Sequence, residues 1–182
     1  MTDLVTDIAQ NGAESGAGYL ELFVSEAREF RFTVNDNGKG MTDTEMKKAQ
    51  DPFVTDGIKH PHRKVGFGIP FLIQTAEASG GGWKMESRKR GFCDGPSGTV
   101  VSAWFDMGNV DTPPLGDIPG MIRTVLLFNG PDEIVVRRFR EEPPLEYEVR
   151  KSELSGALGD LEDTQSLILL DQYLRSLEES GE

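Results

Sequence analysis

A two-layer α+β sandwich, with a mixed and mostly antiparallel sheet covered by helices on one face, is the fold that the order of elements in this 182-residue chain predicts. Three observations predict it. Strand candidates come in pairs, and helix candidates stand between the pairs. The first and last helices carry their apolar residues on one arc. The same signals divide the chain into a sandwich over residues 1–110 and a small α+β extension over residues 111–182, with Pro113-Pro114 at the boundary.

The first helix spans residues 3–15, where Leu4, Val5, Ile8, Ala9, Gly12 and Ala13 share one arc and Asp3, Asp7, Gln10, Asn11, Glu14 and Ser15 the other. Gly16, Ala17 and Gly18 end it. Two strands follow at 19–25 and 29–35, and the second alternates Phe30, Phe32 and Val34 with Arg31 and Thr33. A turn over 36–40 leads to Thr42 or Asp43, either of which can cap a helix running to Gln50. Asp51-Pro52 closes that helix and opens a loop over 52–65. Gly66 to Ser79 starts glycine-rich and becomes an apolar helix, stopped by Gly80-Gly81-Gly82. Strands at 83–90 and 99–106 flank a turn over 94–98. Beyond Pro114 come a helix at 118–128, strands at 133–139 and 145–150, and helices at 152–158 and 164–179. Leu167, Leu170, Leu174 and Leu177 form a stripe on the last helix, suited to packing on its own domain or to a partner seam.

Charge and composition exclude several classes. Net charge is -12, with 12 Lys+Arg against 15 Asp+Glu in residues 1–110 and 7 against 16 in residues 111–182. Such a chain is repelled by nucleic acid and by anionic membranes. No apolar run reaches the roughly 18 residues of a membrane span. One cysteine and two histidines make a zinc site improbable. The start of the chain is acidic and amphipathic, unlike a secretory leader, so a cytoplasmic location is expected. The acidic C-terminal region is either a solvated surface or a docking face for a basic partner.

Four constellations carry chemistry. Asp7 and Asn11 stand at i and i+4 on one helix face, where their oxygens suit a hydrated Mg²⁺ ion. Asp36-Asn37-Gly38-Lys39-Gly40-Met41 places a carboxylate at a strand end, followed by two glycines that let a flat ring approach the backbone. Lys64-Val65-Gly66-Phe67-Gly68-Ile69-Pro70 opens a helix whose N–H groups suit phosphate, beside the basic cluster Lys59, His60, His62, Arg63 and Lys64. Ser97-Gly98-Thr99 opens a strand and offers a hydroxyl. Each has an ordinary structural reading as well: a polar helix surface, a tight turn, a solvated loop, a strand start.

Taken in order, the four resemble the GHKL ATPases, the superfamily of gyrase, heat-shock chaperone, histidine-kinase and MutL nucleotide sites. Asp7-xxx-Asn11 looks like the helical N box, and Asp36 to Met41 like the first glycine box. Asp51-Pro52-Phe53 with Gly66 to Pro70 looks like the phenylalanine box and second glycine box, and Gly98-Thr99 like the last. The resemblance covers residues 3–107, and its short 52–68 lid is most similar to that of sensor histidine kinases.

The resemblance implies the Bergerat ATP-binding fold, with ATP and Mg²⁺ as cofactors. Asn11 would bind Mg²⁺, and Asp36 would accept a hydrogen bond from the adenine amine. Gly38 and Gly40 would line the base pocket. Gly66 and Gly68 would hinge the lid and meet phosphate, with Lys59, Arg63 and Lys64 adding charge. Thr99 would support Asp36 through water. Asp7 stands where many hydrolysing members have glutamate as general base. It is one methylene shorter, enough to miss the attacking water by about 1 Å and to slow turnover about 10²-fold. The chain starts at the N box, so neither a phosphoacceptor helical hairpin nor a transducer domain is expected. Residues 113–118 look like those of short stand-alone members from anaerobic bacteria, associated with iron-hydrogenase gene clusters. The reading is a nucleotide-dependent regulator or slow ATPase with an adenine nucleotide and a protein partner of the redox or hydrogenase-associated kind. The alternatives are a protein kinase acting on a separate chain, as anti-sigma-factor kinases do, and a binding module without turnover.

Overall fold

The computed structural model describes residues 1–53, 68–92 and 95–180. Twelve elements follow one another as α1 (Thr2–Ala13), β1 (Tyr19–Glu26), β2 (Glu29–Asp36), α2 (Asp43–Gln50), α3 (Gly68–Ala78), β3 (Gly82–Arg88), β4 (Gly98–Asp106), α4 (Ile118–Leu126), β5 (Glu133–Arg140), β6 (Leu145–Arg150), α5 (Lys151–Leu158) and α6 (Thr164–Glu179). The strands form one six-stranded sheet in the order β3-β4-β2-β1-β5-β6. Every neighbouring pair is antiparallel except β1 and β5, which run parallel. The sheet is therefore mixed and mostly antiparallel, as the element order predicts.

Period-two alternation decides which face is covered. Leu20, Leu22 and Val24 of β1, Phe30, Phe32 and Val34 of β2, and Val101, Ala103 and Phe105 of β4 all point to one side and are buried. The phenylalanines cluster, with the Phe32 and Phe105 rings stacked at 6.3 Å. Helix α1 covers this side with Leu4, Val5, Ile8, Ala9 and Ala13, and α4 adds Met121, Ile122 and Val125. The other side carries charged and half-exposed residues. There Glu21, Arg137, Glu148 and Arg150 form a chain of ion pairs across β1, β5 and β6, with Arg137–Glu148 at 2.6 Å and Arg150–Glu148 at 2.7 Å.

The region after Pro114 is built into the sandwich. β5 pairs with β1 along its whole length, from Tyr19↔Glu133 to Glu26↔Arg140. Ile122, Ile134, Leu170 and Leu174 belong to the same buried cluster as Phe32 and Leu22. The two stretches divided at Pro113-Pro114 thus share one sheet and one core. The amino terminus closes on the boundary itself: the Met1 ammonium donates to the Pro114 carbonyl at 2.7 Å, and Thr2 N–H to Leu115 O at 3.0 Å. The leucine stripe of α6 faces inward, with Leu170 and Leu174 buried and Leu177 packed against the core.

One inward position on β5 is not apolar. Arg138 is 1 % exposed and donates to Glu26, to Glu178 and to the Phe139 carbonyl. Tyr147 and Arg140 also donate to Glu178, at 2.8 and 3.4 Å. A buried guanidinium is tolerable only when paired in this way, and the pairing ties the end of α6 to the sheet. Among the described residues, no helix is long and apolar enough to cross a membrane.

Candidate nucleotide site

The site is built where α1 crosses the end of β2. Gly12 makes the crossing close: a Cβ there would lie 3.0 Å from Leu20 and 3.5 Å from both Asp36 and Val34. The last residue of β2, Asp36, is only 6 % exposed. Its Oδ1 accepts from Ser15 Oγ at 3.0 Å and from Gly38 N–H at 2.8 Å. Burial pushes the Asp36 carboxyl above the usual carboxylate range, and the donors Gly38 N–H, Ser15 and Thr99 N–H pull it back.

The following loop cannot take any other course. Gly40 has φ +62°, and a Cβ on it would stand 1.9 Å from the Arg88 carbonyl oxygen. Gly98, directly before Thr99, has φ +150°, and its Cβ would stand 2.0 Å from the Asp36 carbonyl oxygen. Side chains are excluded at both positions because backbone passes against backbone. Hydrogen bonds then fasten the loop on three sides. Lys39 N–H donates to Ser15 O at 3.2 Å, Arg90 N–H to Lys39 O at 2.8 Å, and Ser97 Oγ to Gly38 O at 2.7 Å.

Thr99 stands opposite Asp36 on β4 and is 8 % exposed. Its hydroxyl is 2.8 Å from Ser87 Oγ. Ser87 accepts from Met41 N–H at 2.8 Å and donates to Gly98 O at 3.0 Å, so the Thr99 hydroxyl is the donor between them. The Thr99 N–H also donates to the Asp36 carboxylate, and its side chain is turned to Ser87.

One and two turns back along α1 from Ser15, Asn11 and Asp7 are exposed. A Cβ on Gly68, the first residue of α3, would lie 3.5 Å from Asn11 Nδ2 and 3.7 Å from Asp7 Cβ. The start of α3 thus meets the Asp7–Asn11 face, which brings a helix N-terminus to the two oxygen-bearing side chains. Among the described residues, no three His, Cys, Asp or Glu side chains gather as a metal cluster. An Mg²⁺ ion needs no such cluster, because it keeps several waters and takes phosphate oxygens beside one or two protein ligands. Asn11, with Asp7 next to it, fits that modest demand.

Residues 1–109 match the family described as histidine kinase-, DNA gyrase B-, and HSP90-like ATPase. The chain belongs to this family. No curated protein matches it. Among solved structures, it is similar to the N-terminal domain of a DNA repair protein, with 8 % identity and a TM-score of 0.55 over 88 % of this chain and 57 % of that one. It is also similar to the Aquifex aeolicus MutL ATPase domain complexed with ADP, with 18 % identity and a TM-score of 0.46 over 78 % of this chain and 60 % of that one. This member of the ATPase family thus spans about three-fifths of the length of either structure, and the first likeness establishes the fold.

Of the residues expected at the site of this ATPase-family chain, the structure groups Asp36, Gly38, Gly40 and Thr99 past the C-terminal end of α1 and brings Gly68 against Asp7 and Asn11 one to two turns back along the same helix. Lys59, Arg63, Lys64 and Gly66 lie outside the described residues. Three residues that sequence reasoning passed over take part: Gly12, Ser15 and Ser87. Ser15 had a signal, since it continues the i, i+4 spacing of Asp7 and Asn11; Ser87 had none. Two surface hollows lie elsewhere. One of about 450 Å³ is lined by Arg28, Arg31, Asp106 and Glu141, at the strand ends opposite Asp36, and one of about 310 Å³ by Phe23, Asn35 and Arg137, on the exposed face of the sheet.

Proposed function

We propose that the chain binds Mg-ATP between α1, α3 and the ends of β2 and β4, and acts as a nucleotide-dependent regulator or slow ATPase. One observation carries the reading. Asp36 is a buried carboxylate kept in place by three donors, at the position where this family presents an acceptor to its nucleotide. A carboxylate held at that cost in an apolar setting has a use for its remaining acceptor capacity, and the adenine amine supplies a donor.

In this reading the stripe from Ser15 to Asp7 runs along the nucleotide from base to phosphate. Asn11 holds Mg²⁺ by its carboxamide oxygen, which screens phosphate charge. The first N–H groups of α3 at Gly68 meet phosphate oxygens. Lys59, Arg63, Lys64 and Gly66 would complete that end. Asp7 is the group placed to accept a proton from an attacking water, and its short reach favours binding over fast turnover. Phosphoryl transfer to a separate protein chain is the second reading, which the open approach to Asp7 and Asn11 favours.

Calorimetry with ATP and GTP in the presence of Mg²⁺ tests the base assignment. ATP is expected to bind in the micromolar range and GTP far more weakly, because guanine presents a carbonyl where adenine has its amine. Asp36→Ala is expected to abolish ATP binding. Equal affinity for the two nucleotides would remove the adenine reading.

A further inference from the structure

We infer that Ser15 is a specificity-determining residue of the nucleotide site, holding Asp36 so that one carboxylate oxygen is set aside for an amine donor on the base. This inference rests on the proposed nucleotide reading and deepens it.

Ser15 is the third polar residue in a row at four-residue spacing, after Asp7 and Asn11. It sits just past the end of α1, beyond the Glu14 cap, in a turn completed by Gly16 at φ +78°. Its Oγ donates to Asp36 Oδ1 at 3.0 Å, and its carbonyl accepts from Lys39 N–H at 3.2 Å. One residue therefore grips both the carboxylate and the loop that follows it.

Gly38 takes on a specific meaning from this contact. A Cβ at Gly38 would stand 1.8 Å from Ser15 Oγ, 2.6 Å from Ser15 Cβ and 2.9 Å from Asp36 Oδ1. The space that a glycine leaves here is filled by the serine side chain. Any other residue at 38 would push the hydroxyl off the carboxylate. Gly38 and Ser15 thus work as a pair, one clearing the path and the other using it.

The consequence is an asymmetric carboxylate. Oδ1 already holds two donors, Ser15 Oγ and Gly38 N–H. A carboxylate oxygen accepts about two hydrogen bonds, so Oδ1 is filled, and with Thr99 N–H as the third donor the acceptor capacity that remains lies on Oδ2. With Ser15 absent, Asp36 could turn about its side-chain torsions and present either oxygen, and the orientation needed for base recognition would have to be selected on binding. The hydroxyl also opposes burial in keeping Asp36 an acceptor.

The test compares Mg-ATP with the triphosphate of purine riboside, which lacks the 6-amino group, on wild type, Ser15→Ala and Ser15→Gly. The readout is the ratio of the two affinities on one preparation, which does not depend on the folded fraction. Wild type is expected to prefer ATP by at least about tenfold. Both variants are expected to lose roughly three- to tenfold in ATP affinity and almost nothing for the analogue. Equal loss for both ligands, which leaves the ratio unchanged, would make Ser15 a merely structural residue, and no loss for either would remove its role altogether; either result overturns the inference and leaves the nucleotide reading standing. If wild type itself does not distinguish the two ligands, the assignment of Asp36 to the amine fails, and the role of Ser15 fails with it.

Discussion

The two ends of the site are held by different physics. At the base end, Asp36, Gly38, Gly40, Gly98 and Thr99 lie where strands, loop and helix press together, and backbone at Gly40 and Gly98 and the Ser15 side chain at Gly38 leave no room for a single extra carbon. At the phosphate end, Asp7 and Asn11 are exposed, Gly68 has ordinary clearance, Phe53 is 94 % exposed and α2 buries no residue at all. The first end is determined by packing, so it is preformed. The second is held by caps and surface pairs, each worth little alone. In the proposed nucleotide reading, such a site would select its base with a rigid wall and leave the chemistry to parts that can adjust.

The sharpest way to break this contrast is one alanine at each end. Gly40→Ala forces a β-carbon into the Arg88 carbonyl at a backbone conformation that L residues avoid. The expected cost is about 3 kcal/mol, which lowers Tm by roughly 6–12 °C in a chain of this size. Gly68→Ala meets no atom of the described residues closer than 3.5 Å and should leave Tm within about 2 °C of wild type. Its effect is expected on ligand alone: weaker ATP binding with adenosine unchanged, because a methyl stands where phosphate approaches. Thermal melts and calorimetry read both. A Gly68→Ala protein that melts as early as Gly40→Ala would erase the difference between the ends.

The same contrast explains what was legible in the sequence. Gly40 and Gly98 stand out because backbone crowding admits no other residue, and Gly38 because the Ser15 side chain fills the space beside it; constraints this tight leave a mark in the sequence. Secondary structure was legible for a similar reason: Phe30, Phe32 and Val34 alternate, and Thr42 with Glu45 announces a helix start. The partner of β5 was not legible. Pairing β5 with β1 joins residues more than a hundred positions apart, and periodicity says only that a strand exists. Arg138 misleads outright, since an arginine in a strand reads as solvent-facing, yet Glu26 and Glu178 make an inward position tolerable. Ser15 was legible only in part: the spacing continues the stripe of Asp7 and Asn11, but a serine on the polar arc of a helix reads as solvent-facing, and only the fold brings Asp36 to it.

A second, smaller effect separates stability from recognition within the base end. Burial raises the Asp36 carboxyl above its ordinary value. A carboxyl raised by folding contributes stability that is fully present below its unfolded value and is lost as pH rises through the folded one. At neutral pH the buried anion therefore weighs against folding. Asp36→Asn keeps an oxygen to accept from Ser15 and Gly38, and removes the charge. Its Tm is expected to equal or exceed that of wild type at pH 7 to 8, with the advantage gone near pH 4. ATP affinity is expected to fall by roughly 10²-fold, because an amide N–H₂ would confront the adenine amine. Melting curves across this pH range, paired with ATP titration, check both signs. A variant less stable than wild type at pH 8 would show that the carboxylate serves the fold.

The smallest effect belongs to α2, and it tests whether the phosphate end is held locally. Thr42 and Glu45 form a capping box: Thr42 Oγ1 accepts from Glu45 N–H at 3.3 Å, and Glu45 Oε2 accepts from Thr42 N–H at 2.8 Å. Lys89, just past β3, reaches Glu45 at 2.5 Å. Lys89 first, then Thr42, holds the Glu45 carboxyl down at about 2. For a carboxyl lowered by folding, the contribution is present above the unfolded value of 4.5 and is lost as pH falls toward 2. Since α2 buries nothing, that loss should open this helix alone. Thr42→Ala is therefore expected to speed hydrogen exchange of the α2 amides by roughly fivefold at neutral pH, with the amides of β1 and β2 unaffected and global Tm almost unmoved. Acidifying wild type from pH 4.5 toward 2 should produce the same local opening. Both follow from a helix that buries no residue and is tied down by a cap and a surface ion pair. If Thr42→Ala instead slowed or sped exchange in β2 as well, α2 would be coupled to the base end, and the two halves of the site would have to be treated as one cooperative unit.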